Sequence, residues 1–323
     1  FSSAFKKNCK RNSSGLANDF EPALNIYNLN WFYKTLQIQV KEDYPERHFD
    51  SEEVGAGMQN LILISIFQTY AELMGQKVIF GIEEPEIYLY PQAQRSLFKS
   101  FIELSQNTQI FYTTHNPNFV NAGRPDDIIL LRKDRMQGTF QLKKSDLFNS
   151  SIAKTCYDKI FTHFNNERNE LFFANKILLV EGVSDKMLFQ TLCEEKWDID
   201  LDEKGISIIE CGGKSGVIYF LGLCKLIGQD NCFAVWDKDE DVNDSHGLLA
   251  GALANVKGIE LNPNLEKFLG LPSGKDAAKV KNAYNYAVGC LVDKIPKELL
   301  SVKKFLSDDV VQGDVFDDND LPF

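Results

Sequence analysis

Two short apolar runs, each stopping at an acid, constrain this chain more than any other feature. Ile177, Leu178, Leu179 and Val180 form a continuous apolar block that ends at Glu181-Gly182. Such a block reads as a strand buried on both faces of a parallel sheet. A carboxylate is costly inside that strand, so Glu181 belongs at its C-terminal end, where open α/β sheets bind ligands. Gly182 permits a sharp turn, Ser184 suits a helix N-cap, and Asp185 falls in the first helical turn. Further on, Cys232-Phe233-Ala234-Val235-Trp236 ends in Asp237-Lys238-Asp239. Asp237 and Asp239 lie two apart and share a face at a strand end. Hard carboxylate oxygens from Glu181, Asp185, Asp237 and Asp239 suit Mg2+ or Mn2+, one ion or two.

Two further runs show the same habit. The segment 77–82 (KVIFGI) reads as a strand ending in Glu83-Glu84-Pro85-Glu86, and 109–114 (QIFYTT) as one ending in His115. Consecutive acids at a strand end match Walker B logic, in which Glu83 holds Mg2+ through water and Glu84 orients the attacking water. His115 is placed to sense a γ-phosphate. Upstream, Gly55, Ala56 and Gly57 enter a long helical pattern through Met58 and Gln59, an arrangement that presents backbone N–H groups to a phosphate. Trp31 to Val40 alternates like a strand near its end, and Lys6, Lys7, Lys10 and Arg11 form a small basic cluster read as solvated surface.

Composition excludes several classes. At 323 residues two domains are expected. No apolar run approaches the roughly 20 residues of a membrane span. The seven cysteines form no CxxC pair and the four histidines are scattered, which points to reduced thiols in a cytoplasm and away from zinc. A net charge of -11 requires that any nucleic acid be met by a local basic path or by metal ions.

The order Gly55-Ala56-Gly57-Met58-Gln59, Glu83-Glu84-Pro85-Glu86-Ile87-Tyr88-Leu89, Thr114-His115 resembles the signature loop, Walker B, D-loop and switch histidine of an ABC-type ATPase. Followed by NELFFANKILLVEG at 169–182, it resembles the OLD (overcoming lysogenization defect) nuclease family over roughly residues 50 to 290. The resemblance implies an α/β chain. Its parts are the C-terminal part of an ABC-type ATPase domain (1–145), a helical linker (146–173), a Toprim domain with a Rossmann-like parallel sheet (174–300) and an acidic tail (301–323). It implies metal-dependent DNA cleavage with Mg2+ or Mn2+, ATP as a possible ligand, and a dimer or tetramer. It also implies an antiphage setting, Gabija-like with a defence partner protein or retron-linked with a reverse transcriptase and non-coding RNA. Glu266 resembles the further metal-binding acid of these enzymes, and Lys275 or Lys279, ahead of a helix opening near Ala283-Tyr284, the lysine that stabilises transition-state charge. Gly212-Gly213-Lys214-Ser215-Gly216 resembles the family's strand-to-helix turn, with Lys214 placed to touch a DNA phosphate.

Two departures qualify the resemblance. No G-x-x-x-x-G-K-[ST] loop occurs in the sequence. The expectation is a chain that continues a longer protein, the alternative an incomplete nucleotide site. Tyr90 stands where relatives commonly carry histidine before Pro91. The end of the sequence, rich in aspartate and closing in Leu321-Pro322-Phe323, resembles the acidic tip of bacterial single-stranded DNA-binding proteins, a docking peptide or else a solvated tail. Three alternatives stay open: an ATP-responsive DNA-binding or scaffolding subunit whose Toprim fold no longer cuts, a topoisomerase, and a primase.

Overall fold

The computed structural model describes residues 2–13, 19–24, 36–43, 46–74, 78–121, 124–134, 138–142, 168–238, 257–272 and 274–308. Asp239, most of the expected linker (146–167) and most of the acidic tail (309–323) lie outside the described residues. The chain divides into two compact units, Phe1–Val120 and Asn121–Phe323.

In the first unit, helix α1 (Ser2–Ser13) packs on helix α2 (Ala56–Met74) beside an antiparallel sheet of β1 (Asp19–Leu24), β2 (Leu36–Asp43) and β3 (Glu46–Asp50). Polar side chains join the two helices: Asn12 donates to Ser65 at 2.8 Å and to Gln68 at 2.7 Å, with all three buried. The basic cluster of α1 is answered by acids, Lys6 by Glu21 at 3.1 Å and Lys10 by Asp19 at 3.6 Å. Strands β4 (Ile79–Glu83) and β5 (Gln109–Thr113) form a parallel pair. One face of that pair, through Ile82, Ile110 and Tyr112, packs with helix α3 (Pro91–Leu104) around Leu97, Phe101 and Phe119. On the other face Ile79 and Phe111 are 65% and 59% exposed. A parallel pair is ordinarily covered on both faces, so this surface is one that an added layer would bury. Pro91 opens α3 at a position where its missing N–H costs nothing, with Tyr90 as the cap residue.

The second unit contains a hairpin, β6 (Leu131–Asp134) with β7 (Gly138–Gln141), and a four-stranded parallel sheet in the order β11-β10-β8-β9. Its strands are β8 (Lys176–Val180), β9 (Ile206–Glu210), β10 (Cys232–Asp237) and β11 (Gly258–Leu261). All five residues of β8 are buried, as the unbroken apolar run requires of a central strand. Leu178 and Val180 share one face with Ile208, Phe233 and Val235. That face is closed by α4 (Val183–Leu192), α7 (Asp276–Gly289) and α8 (Leu299–Ser307). Helix α5 (Lys214–Leu226) lies against β8 and β10. Burial of each such side chain contributes about 1.5–3 kcal/mol. The short helix α6 (Leu265–Leu269) follows β11 and is capped by Asn264, whose Oδ1 accepts from Lys267 N at 3.0 Å.

Two local expectations need correction. Helix α4 begins at Val183 with Gly182, not Ser184, as its cap residue. Asp185 explains the shift, because its Oδ2 accepts from Gly182 N at 2.9 Å and ties the turn from inside the helix. The helix expected to open near Ala283 opens at Asp276, so Lys279 stands in its first turns.

Candidate functional site

The C-terminal edge of the parallel sheet gathers the acids. Because β8 and β10 are neighbours in register, Val235 beside Val180, the residue after β8 and the last residue of β10 come together. Glu181 Oε2 accepts a hydrogen bond from the Asp237 N–H at 2.9 Å, and Asp237 Oδ1 accepts from Leu265 N at 3.0 Å. The strand order thus brings Glu181 and Asp237 into one site, and the second contact carries that site to the start of α6. There Glu266 pairs with Lys279 at 3.2 Å.

The electrostatics follow from this crowding. Burial, opposed by the Gly182 hydrogen bond and reinforced by Glu181 and Glu266, pushes the Asp185 carboxyl up to about 7. The hydrogen bond to Glu266 raises Lys279, with Asp276 and Asp237 adding to it, and so keeps the ammonium charged. Lys275 is the cap residue of α7, and its side chain is exposed. Lys214, first residue of α5, donates to the Lys238 carbonyl at 3.0 Å, immediately beyond Asp237. The turn before it is built on glycine: Gly212 and Gly213 have φ of 73° and 108°, and Gly213 N donates to Glu181 O at 2.9 Å. Gly216 is needed for close packing, since a Cβ there would lie 1.8 Å from Cys211 O.

The donor set is oxygen only and negatively charged around a buried carboxyl, which fits a hard divalent cation. In the conformation seen, Glu181, Asp185 and Asp237 each hold a backbone N–H, and Glu266 holds Lys279. Among the described residues no three His, Cys, Asp or Glu side chains are already grouped to hold a metal ion.

In the first unit the strand ends carry the nucleotide motifs. Glu83 ends β4 and is exposed; Glu84 follows in the left-handed region at φ 42°. His115 Nε2 lies 3.3 Å from Glu84 Oε1. Glu86, the third acid of the same motif and not among the residues expected from sequence, is buried. Its Oε1 accepts from the Thr114 hydroxyl and from His115 N at 3.2 Å, which stitches the end of β5 to the turn after β4. The start of α2 lies against that turn, with Asn60 donating to Pro85 O at 3.2 Å. A Cβ on Gly57 would lie 2.4 Å from Tyr88 O, a packing reason for glycine there. Gly55 is open, and Gln59 folds back onto the Val54 and Glu52 carbonyls at 3.0 and 3.3 Å. Also unforeseen was Arg168, which donates to the Glu210 carboxylate and carbonyl at 2.7 and 2.8 Å at the end of β9.

A nucleotide-type strand pair in one unit and an acid-edged parallel sheet in the other define an α/β protein of the ATPase-plus-Toprim class. Residues 3–120 match the AAA ATPase domain family and residues 172–239 match the overcoming lysogenization defect protein-like TOPRIM domain family. The chain is thus similar to the OLD family in its TOPRIM region. It is 34% identical over 215 residues to an OLD nuclease of Thermus scotoductus (65% of this chain, 39% of the relative). It is 26% identical over 277 residues to the Old nuclease of Escherichia phage P2 (77% and 46%). It is 25% identical over 298 residues to the endonuclease GajA of Bacillus cereus strain VD045 (90% and 48%). The chain thus spans less than half the length of each of these relatives. Among the described residues no helix is long and apolar enough to cross a membrane.

Proposed function

We propose that this chain is a metal-dependent DNA endonuclease whose Toprim region (174–300) cleaves phosphodiester bonds under the control of the ABC-type nucleotide-binding region (1–145). The setting is a cytoplasmic antiphage defence system, and the working form is a homo-oligomer. The reading is carried by one observation: Glu181 Oε2 sits 2.9 Å from the backbone N of Asp237, with Glu266 and Lys279 alongside. The relatives named OLD nuclease and endonuclease GajA support the reaction class.

In this reading Glu181, Asp185, Asp237 and Glu266 hold Mg2+ or Mn2+, with Asp239 as a further ligand. When bound, such ions stabilise the attacking and leaving oxygens of a phosphodiester displacement. The chain's own groups do the rest. Lys279, kept charged by Glu266, offsets negative charge that grows on the phosphate. Lys214 and Lys238 give the mouth of a strongly acidic chain a local cationic edge for the DNA backbone. Lys275, exposed at the cap of α7, is the weaker candidate for a catalytic role.

A second reading draws on the same site. Since Glu181, Asp185 and Asp237 each accept a backbone N–H and Glu266 pairs with Lys279 in the conformation seen, the Toprim fold is alternatively a non-cutting DNA-binding or scaffolding part of an ATP-responsive subunit. Incubating the protein with plasmid and Mg2+ or Mn2+, beside Asp237→Ala, separates the two. The endonuclease reading expects nicked or linear product with the wild type and none with the variant. Equal cutting by both removes Asp237 from the chemistry, and no cutting by either favours the second reading.

A further inference from the structure

The end of β9 is gripped from outside the sheet by Arg168, a residue with no part in the chemistry proposed for the acids. Strand β9 stands at the edge of the described sheet, and an edge strand leaves alternate backbone groups without a ladder partner. The Cys211 N–H points inward, to Val180 O at 2.9 Å, so the Glu210 carbonyl of the same planar peptide faces the open side. Arg168 takes that carbonyl: its Nε donates to Glu210 O at 2.8 Å while a terminal N–H donates to Glu210 Oε2 at 2.7 Å. Two donors of one rigid guanidinium on one residue fix its orientation as well as its position, which the ammonium of a lysine does not. The two side chains are only 14% and 24% exposed, so salt and water screen the pair little. The guanidinium carbon also lies 5.7 Å from the ring centroid of Phe220 on α5.

Arg168 is itself anchored. It opens the single 3-10 turn Arg168–Phe172, whose Leu171 and Phe172 are buried. Just beyond, Arg132 of β6 and Gln229 each donate to Ala174 O at 2.6 Å. On the other side of the grip, the residues that follow Glu210 lead straight into the acid edge. Gly213 N donates to Glu181 O at 2.9 Å, and Lys214 Nζ donates to the Lys238 carbonyl at 3.0 Å. Gly212 and Gly213, with φ of 73° and 108°, have the least backbone preference of their own, so this turn takes its place from what holds it at either end. We propose that Arg168 is a positioning residue of the Toprim site: by clamping Glu210 it sets the turn that holds the Glu181 backbone and aims Lys214. The inference rests on the metal-dependent reading of that site and deepens it.

Calorimetric titration of Mn2+ into the full chain and into Arg168→Met, below the denaturation midpoint of both, tests it. Deleting a positive charge at this sheet edge would by itself tighten the binding of a cation. The proposal expects the opposite sign, binding weakened by at least about 10-fold with circular dichroism unchanged, as when the support of a metal ligand is lost. Arg168→Lys, which keeps the charge and loses the fork, is expected to weaken binding as well. Binding by Arg168→Met as tight as that of the wild type or tighter, even with a lower denaturation midpoint, makes the residue merely structural and overturns the proposal. Should Arg168→Met fail to fold, Arg168→Lys decides: weakened Mn2+ binding supports the clamp, and binding equal to the wild type overturns it. A wild type that binds no Mn2+ removes the metal-dependent reading and this proposal together, whereas variants that bind as well as a binding wild type remove this proposal alone.

Discussion

Asp185 is a carboxyl held inside a ring of its own kind, and its environment makes a signed prediction. Its folded-state value, up to about 7, lies above the roughly 3.9 of an unfolded chain. The folded protein therefore binds the extra proton, and the associated stability is present below about pH 4 and is lost as pH rises toward 7. In chelated, metal-free protein the melting temperature is expected to fall across that window, by a contribution of up to about 4 kcal/mol. Asp185→Asn, which keeps the neutral form, is expected to flatten that slope; parallel melting curves for the two proteins would show that Asp185 titrates normally. Lys279 makes the second residue-scale prediction. Lys279→Met leaves Glu266 without its ion pair, and is expected to lower plasmid cleavage by at least about 10-fold while leaving the fold's circular dichroism unchanged. Lys275→Met, which breaks no such pair, is expected to have the smaller effect in the same assay.

At the scale of elements, the sheet edge depends on helix α5 approaching very closely. Gly216 allows it: a Cβ would overlap the Cys211 carbonyl, and backbone must move to admit it. Gly216→Ala is expected to destabilise the second unit by about 1–3 kcal/mol or more, read as a lower denaturation midpoint, and to displace Lys214 from the Lys238 carbonyl. Leu178→Ala, at the centre of β8, is expected to cost about 2–5 kcal/mol in the same measurement. These elements also show what sequence could reveal. Strands β8 and β10 were legible because burial on both faces demands an unbroken apolar run, and an acid can stand only where that burial ends. The pairing of β8 with β10 was not legible, since strand order is a property of the whole sheet; it is what turns two separate acids into one contact. The start of α4 was misplaced by two positions because Asp185, from inside the helix, holds the Gly182 N–H and makes Gly182 the cap residue. Glu86 was passed over because two of the three acids already had roles, and nothing local marks the third as buried.

At the scale of the molecule, the two units gather their acids in the same kind of place, at the C-terminal ends of parallel strands. Glu83, Glu84 and His115 end β4 and β5; Glu181 and Asp237 end β8 and β10. The family resemblance and the α/β class were readable from the order of these motifs along the chain. Their meeting in space required the fold. The central claim is that Glu181 and Asp237 serve one metal site, and calorimetric titration of Mn2+ into the full chain tests it most directly. The wild type is expected to show saturable binding that is lost or weakened by at least about 10-fold in both Glu181→Gln and Asp237→Asn. Wild-type binding left unchanged by either substitution would contradict a shared site.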